Sequence, residues 1–182
     1  MPVPVRKLFA LAAALCLAAA ALGLSACGYS SDEKEVVEGE PVTLGELQYN
    51  VIFSRYLNIN DTEDAAYLVG QPPPGPTSAY FGVFFEVQNE SDEPQTLPDS
   101  LTITDADHEV FEAIPSESLY ALPFGGEVEP EEQIPVLDST PQQGPIEGSL
   151  VLFELPDSAS ENRPLVLEIP GPDGPAEVTL DL

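Results

Sequence analysis

The chain has 182 residues, with 32 Asp or Glu against 5 Lys or Arg, a formal net charge of −27. Such a length fits one domain. So negative a surface repels phosphate backbones, which excludes nucleic acid as a partner, and it equally excludes adhesion of the domain face to anionic lipid headgroups.

The chain opens with a charged pair, Arg6 and Lys7, followed by an uncharged run from Leu8 to Leu24 dominated by Ala and Leu. That run falls short of the about 20 residues a membrane-spanning helix needs. Small residues then lead to a cysteine instead of an A-x-A cleavage site. The tetrad "LSAC", Leu24 to Cys27, with Gly28 behind it, resembles the bacterial lipoprotein lipobox. The resemblance implies a thioether-linked diacylglycerol on Cys27, cleavage ahead of it so that residues 1–26 are a signal peptide, and acylation of the new amino terminus. Two or three acyl chains hold a protein to a membrane stably where one does not. The competing readings are a plain signal peptide with an incidental cysteine and an uncleaved anchor helix. Leader, box and acidic spacer together favour the lipoprotein reading.

Cys16 would leave with the leader, so the mature domain would carry no thiol, no disulfide and no cysteine-based site. Arg6 and Lys7 leave as well, and Lys34, Arg55 and Arg163 then stand alone against 32 carboxylates, a balance of −29. A charge of that size serves either as a self-repelling, solubilising coat or as an attraction for cations or a basic partner. A salt-loving source would give the same composition.

Residues 27–40 read as the lipidated cysteine and a flexible acidic tether, too poor in large apolar side chains to pack. Residues 41–182 read as an all-β domain, an antiparallel immunoglobulin-like β-sandwich. All but Pro2 and Pro4 of the chain's 20 prolines are scattered here between short alternating runs. "LGELQYNVIFSRYLNI" places Leu47, Tyr49, Val51 and Phe53 on one face of a first strand. In "SAYFGVFFEVQNES", Phe81, Val83, Phe85 and Val87 share the inward face, and Gly82, Phe84, Glu86 and Gln88 the other. "LTITDADHEVFEAI" is a hairpin that turns at "DADH". "SLYALPF" is a short strand and "GGEVEPEEQIPV" a turn plus an edge. "SLVLFELP", apolar on both faces, reads as a central strand. "PLVLEIP" and "AEVTLDL" close the sheet through the tight connection "PGPDGP", where Gly supplies positive φ. Eight or so short strands separated by turn signals argue for a sandwich.

The lipobox, the acidic tether, the strand ending "VQNESDEPQTL", the hairpin "LTITDADHEVF" and the late "GSLVLFELP" together resemble the telokin-like, immunoglobulin-type extracellular domain of bacterial lipoproteins (domain of unknown function 4352). The resemblance covers about Pro41 to Leu182. It implies a surface-displayed sandwich and implies no reaction. The chain departs from the family at His108, where Gly is common, and in the long insert from Asn58 to Ser78.

Two stretches are candidates for a site. Asp105, Asp107 and Glu109 in "DADHE" alternate so as to offer oxygens to a hard cation such as Ca2+. The competing reading is a turn whose Asp side chains bond nearby backbone groups, and the missing EF-hand glycine and distant glutamate favour it. His108, the sole histidine, lacks partners for a metal or for a nucleophilic serine, and no G-x-S-x-G elbow exists. In the insert, Pro72, Pro73 and Pro74 pre-order an extended segment preceded by Tyr67 and Leu68 and followed by Tyr80. Such a stiff, partly apolar loop loses little entropy on contact and fits a partner-binding face; the alternative is a crossover covering one end of the sandwich. A glycosidase-like carboxylate pair would want Trp beside its sugar, and the chain has none. No P-loop or G-x-G-x-x-G occurs.

These observations predict a non-enzymatic, cofactor-free lipoprotein on the outer face of the cytoplasmic membrane. It is expected to hold the membrane through the lipid on Cys27 and a protein partner outside the cell through its domain. The alternative is a surface lipoprotein that binds Ca2+ or a small ligand.

Overall fold

Alternation in one strand organises the molecule. In the computed structural model, which describes residues 34–181, Phe81, Val83, Phe85 and Val87 of strand β4 (Ser78–Asn89) all lie fully buried on the inward face. β4 is flanked by β3 (Leu47–Leu57) on one side and β10 (Ser149–Pro156) on the other, both antiparallel to it. β2 (Val42–Leu44) continues the sheet beyond β3, and β9 (Gln133–Ile134) pairs with the end of β4. The facing sheet runs β1 (Lys34–Val37), β12 (Ala176–Thr179), β11 (Val166–Ile169), β6 (Thr102–Thr104), β7 (Val110–Glu112). A two-stranded ribbon of β5 (Gln95–Thr96) and β8 (Glu127–Val128) completes a β-sandwich, as the alternation predicts. The core between the sheets joins the inward residues of β4 to Ile103, Phe153, Leu167, Ile169 and Val178, which the period-2 placement of these residues requires.

Four details differ from the expectations. Phe53 is 42% exposed instead of inward, because a bulge between Val51 and Phe53 inserts one residue and inverts the facing of everything after it. Ser54 is buried in its place, and its hydroxyl donates to Glu38. The expected tether gives up its last residues: Lys34–Val37 forms β1 and pairs in parallel with β12, so the sandwich is not wholly antiparallel. Val36 supplies the apolar contact that anchors this strand on the core. "SLYALPF" forms no strand, only an isolated bridge from Ala121 to Leu150, and β10 ends its sheet's order where a central strand was expected. β10 is nonetheless apolar on both faces for a physical reason. Val151, Phe153 and Leu155 face the main core, while Leu150 and Leu152 face a second apolar cluster with Leu57, Tyr80 and Phe84.

The insert supplies the lid of that second cluster. Tyr67 and Leu68 pack into it, Tyr67 edge-on to Phe84 with ring centroids 5.2 Å apart. Asp64, at the head of the 3-10 turn Asp64–Ala66, is buried and pairs with Arg55 of β3. Its carboxylate also accepts the Asn58 backbone N–H at 2.7 Å. Ser118 donates to the Ala66 carbonyl at 2.8 Å, and Gln71 to the Pro115 carbonyl at 2.7 Å.

β1 and β12 run in the same direction from Lys34 and Ala176. The chain therefore joins the sandwich at the pole formed by the β11–β12 turn, where Gly174 adopts φ 127°. The β2–β3 turn lies at the same pole: a Cβ at Gly45 would sit 3.0 Å from Pro172. Cys27 and the leader fall outside the described residues, as does Leu182.

Candidate functional site

The hairpin β6–β7 uses its carboxylates for itself. Asp105 is buried, and its Oδ1 accepts the backbone N–H groups of Asp107 and Glu109, each at 3.0 Å. Asn162 donates from Nδ2 to Asp107 Oδ2 at 2.8 Å and lies 3.4 Å from Asp105 Oδ2. His108 closes the turn in the left-handed region, φ 64°, with its N–H on the Asp105 carbonyl. Such a φ is the conformation that Gly adopts most readily, and His is among the non-glycine residues that tolerate it. Glu109 is exposed. Among the described residues no three His, Cys, Asp or Glu side chains gather as a metal-holding group. Asp105, Asp107 and Glu109 thus make a hydrogen-bonded turn, and a Ca2+ ion would have to displace those bonds.

The insert is likewise structural where an interaction face was expected. Tyr67, Leu68 and Tyr80 are 0%, 4% and 1% exposed, so a partner cannot reach them. Tyr80 donates its hydroxyl to the Pro72 carbonyl at 2.7 Å, and Tyr67 Oη accepts the Ile146 N–H at 2.8 Å. Burial pushes both phenols above their ordinary pKa. Pro72 and Pro73 are exposed and Pro74 is half-buried. Tyr67, Leu68 and Tyr80 are buried where an exposed face was expected, because a sheet with apolar residues on both faces needs a cover and the insert supplies it.

Every cation of the described residues is held. Lys34 Nζ donates to the Thr43 carbonyl, Arg55 pairs with Asp64, and Arg163 Nε donates to the Ser160 carbonyl at 3.0 Å. Burial would raise the Asp64 pKa, but hydrogen bonds from Arg55 and Asn58 and the Arg55 charge outweigh it and hold the carboxyl below its usual range.

Two of the accessible hollows have linings that bear on a site. One, of about 310 Å³, lies beside the β8 and β9 strands. Val128, Ile134 and Pro135 floor it, Glu127, Glu129 and Glu132 stand exposed around it, and Ser139 lines it with a hydroxyl that has no partner among the described residues. Val136, in its wall, is 52% exposed and the adjoining Leu137 61%. Sequence reasoning took this stretch for a turn and edge. Its signal was the run "EVEPEEQIPVL", which puts apolar side chains among glutamates where neither helix nor long strand buries them.

The other hollow, of about 660 Å³, opens at the pole where the chain joins the sandwich. Leu44, Leu47 and Tyr49 of the β2–β3 hairpin line it, together with Pro94, Pro98, Pro170 and Pro172. Glu46 and Asp99 contribute carboxylates. Tyr49 is 3% exposed, and its desolvated phenol is pushed up to about 12. The sequence placed Tyr49 on the core face, where it is, but a cavity at its side was not legible there.

No family model and no curated protein matches the chain. Solved structures do. An uncharacterized β-sandwich protein from Clostridium difficile 630 is 12% identical, covering 81% of this chain and 93% of its own with a TM-score of 0.51. The yjhA protein from Bacillus subtilis is also 12% identical, covering 80% of this chain and 99% of its own with a TM-score of 0.54. At such identity these likenesses establish the fold alone: the chain is a β-sandwich.

Proposed function

We propose that this chain is a bacterial lipoprotein of the telokin-like type, anchored by a lipid on Cys27 at the outer face of the cytoplasmic membrane. Its sandwich serves as a protein-interaction module and catalyses no reaction. The anchor rests on the lipobox residues. Only Gly28 to Glu33 separate Cys27 from β1. Those residues span at most about 20 Å when fully extended, so the sandwich works close to the bilayer.

The observation that carries the interaction reading is the hollow beside Val128 and Ile134. It combines an apolar floor, exposed Val136 and Leu137, an unpartnered Ser139 hydroxyl and three surrounding glutamates. With all three cations of the domain engaged internally, the complementary surface is basic. The partner is a protein segment that places one apolar side chain in the hollow and Lys or Arg against Glu127, Glu129 and Glu132.

Two experiments test the two halves. Radiolabelled palmitate should be incorporated by cells expressing the full chain and not by the Cys27→Ser variant; equal labelling refutes the anchor. A photo-crosslinking amino acid at Val136, in living cells, should give a discrete adduct that disappears when Glu129 and Glu132 are both replaced by Lys. No adduct, or one indifferent to the charge reversal, refutes the interaction reading.

A further inference from the structure

The two sheets of the sandwich differ in what lies outside them. The insert closes the outer face of β3, β4 and β10 with Tyr67 and Leu68. The outer face of β1, β12, β11, β6 and β7 stays open among the described residues. Ile103, Leu167, Ile169 and Val178 of these strands fill the core, so period-2 alternation sends their neighbours outward.

The strand registers align those outward side chains into two rows. Val37 stands opposite Thr179, Thr179 opposite Val166, Val166 opposite Thr104, and Thr104 opposite Val110. All five are β-branched, and the end members Val37 and Val110 are 50% and 61% exposed. By the same registers the neighbouring row runs Glu35, Glu177, Glu168, Thr102 and Glu112. With strands about 4.8 Å apart, each row is about 19 Å long, and the two rows lie about 7 Å apart. A further hollow, of about 410 Å³, joins them at the centre, lined by Thr104 and Val166 from the first row, Glu168 and Glu177 from the second, and Pro164.

The glutamate row opposes folding. Glu35, Glu177 and Glu168 face one another directly across three adjacent strands, an arrangement that destabilises a sheet. Lys34, the one cation on these five strands, gives its ammonium to the Thr43 carbonyl in the other sheet. Carboxylates along an exposed apolar row exclude an anionic lipid surface and a second copy of this chain. They fit a partner whose apolar stripe is edged with Lys or Arg. An extended segment offers such a face a single row of side chains. A helix, about 10 Å wide, presents an apolar stripe and a flanking charged stripe together, and about 13 of its residues span 19 Å.

We propose that the outer face of β1, β12, β11, β6 and β7 docks a basic amphipathic helix of a protein partner, laid across the strands. Its apolar stripe covers the row from Val37 to Val110, one large apolar side chain enters the central hollow, and Lys or Arg meets Glu177, Glu168 and Glu112. This surface shares no residue with the hollow beside Val128 and Ile134 and does not depend on it.

Fluorescence anisotropy tests it, with the full-length chain titrated into a labelled Leu/Lys peptide of about 14 residues whose leucines recur at i, i+3, i+4 and i+7. Saturable binding is expected, and a peptide of the same composition with its leucines spread around the helix should bind at least about 10-fold more weakly. Glu168→Lys, at an exposed position, should weaken binding about 10-fold, and Val110→Ser about 2–5-fold. Glu112→Lys serves in place of Glu168→Lys should that variant fold poorly. Glu129→Lys changes the net charge equally but lies outside this face, and should stay within about 2-fold of the parent. No saturable binding, equal binding of the rearranged peptide, or equal weakening by Glu168→Lys and Glu129→Lys overturns the proposal. Weakening by Glu129→Lys alone also overturns it, and seats the peptide in the hollow beside Val128 instead. The crosslink at Val136 remains a separate test of that hollow, so the two readings fail independently.

Discussion

Tyr67 offers a decisive perturbation, because an exposed binding loop and a buried cover predict opposite outcomes. Tyr67 is 0% exposed, meets Phe84 edge-on at 5.2 Å and Tyr120 at 4.9 Å, and accepts the Ile146 N–H. Removing a buried aromatic ring to Ala costs about 3–5 kcal/mol. For a sandwich of about 150 residues that lowers Tm by roughly 6–20 °C. A surface residue would give within about 0.5 kcal/mol of no change. Tyr67→Phe divides the effect: it keeps the ring and strands only the Ile146 N–H, for about 1–2 kcal/mol. Urea unfolding followed by far-UV circular dichroism measures both, with an unchanged m-value confirming that stability alone moved. A Tyr67→Ala chain that melts within 1–2 °C of the parent, by the same scale, would refute the account of the insert as a cover.

The remaining predictions concern charge and turns. Asp64→Asn should cost about 2–3 kcal/mol, less than a fully buried pair because the Arg55 side chain is 31% exposed and partly solvated. The Asp64 carboxyl is held below its ordinary value of 3.8, so its contribution is complete above about pH 4 and is lost as pH falls through the lowered folded pKa. Denaturation midpoints against pH should therefore show an acid limb that is smaller in the Asn variant. Glu154, held low chiefly by the Gly75 N–H and also by the Ser78 hydroxyl, adds to the same limb. His108→Gly should stabilise the chain by about 0.5–1 kcal/mol by relieving a side chain at φ 64°, and His108→Val should do the reverse, both read from urea midpoints. Calcium and magnesium at equal ionic strength should raise Tm by equal small amounts, because Asp105 is committed to its turn; a calcium-selective rise would restore the hairpin as a cation site.

The elements most legible in the sequence were those governed by local period. β4 was readable because Phe81, Val83, Phe85 and Val87 alternate without interruption, and the β6–β7 hairpin because Asp and His mark its turn. Phe53 was misplaced because a bulge leaves no local trace: one extra residue, Ile52, inverts the pattern. Lys34–Val37 was missed as a strand because its stability comes from β12, about 140 residues away, and not from its own composition. The doubly apolar character of "SLVLFELP" was legible, but its cause was not, since the second face is buried by an insert whose own residues resemble an exposed loop. Sites suffered most, for a carboxylate in a sequence does not announce whether it will face a backbone N–H, as at Asp105, or open water, as at Glu129.

The commitment of every cation to an internal bond also decides how such a chain meets digestive enzymes. Proteases that cut after Lys or Arg find three basic residues among those described. Arg55 lies in mid-sheet opposite Gly82 with its guanidinium on Asp64, and Arg163 precedes Pro164, a bond such enzymes cleave poorly. Lys34 is exposed like Arg163, but no proline follows it, and it begins the edge strand β1. Among the described residues, the early tryptic cut should therefore fall at Lys34–Glu35, leaving the sandwich from Glu35 onward uncut.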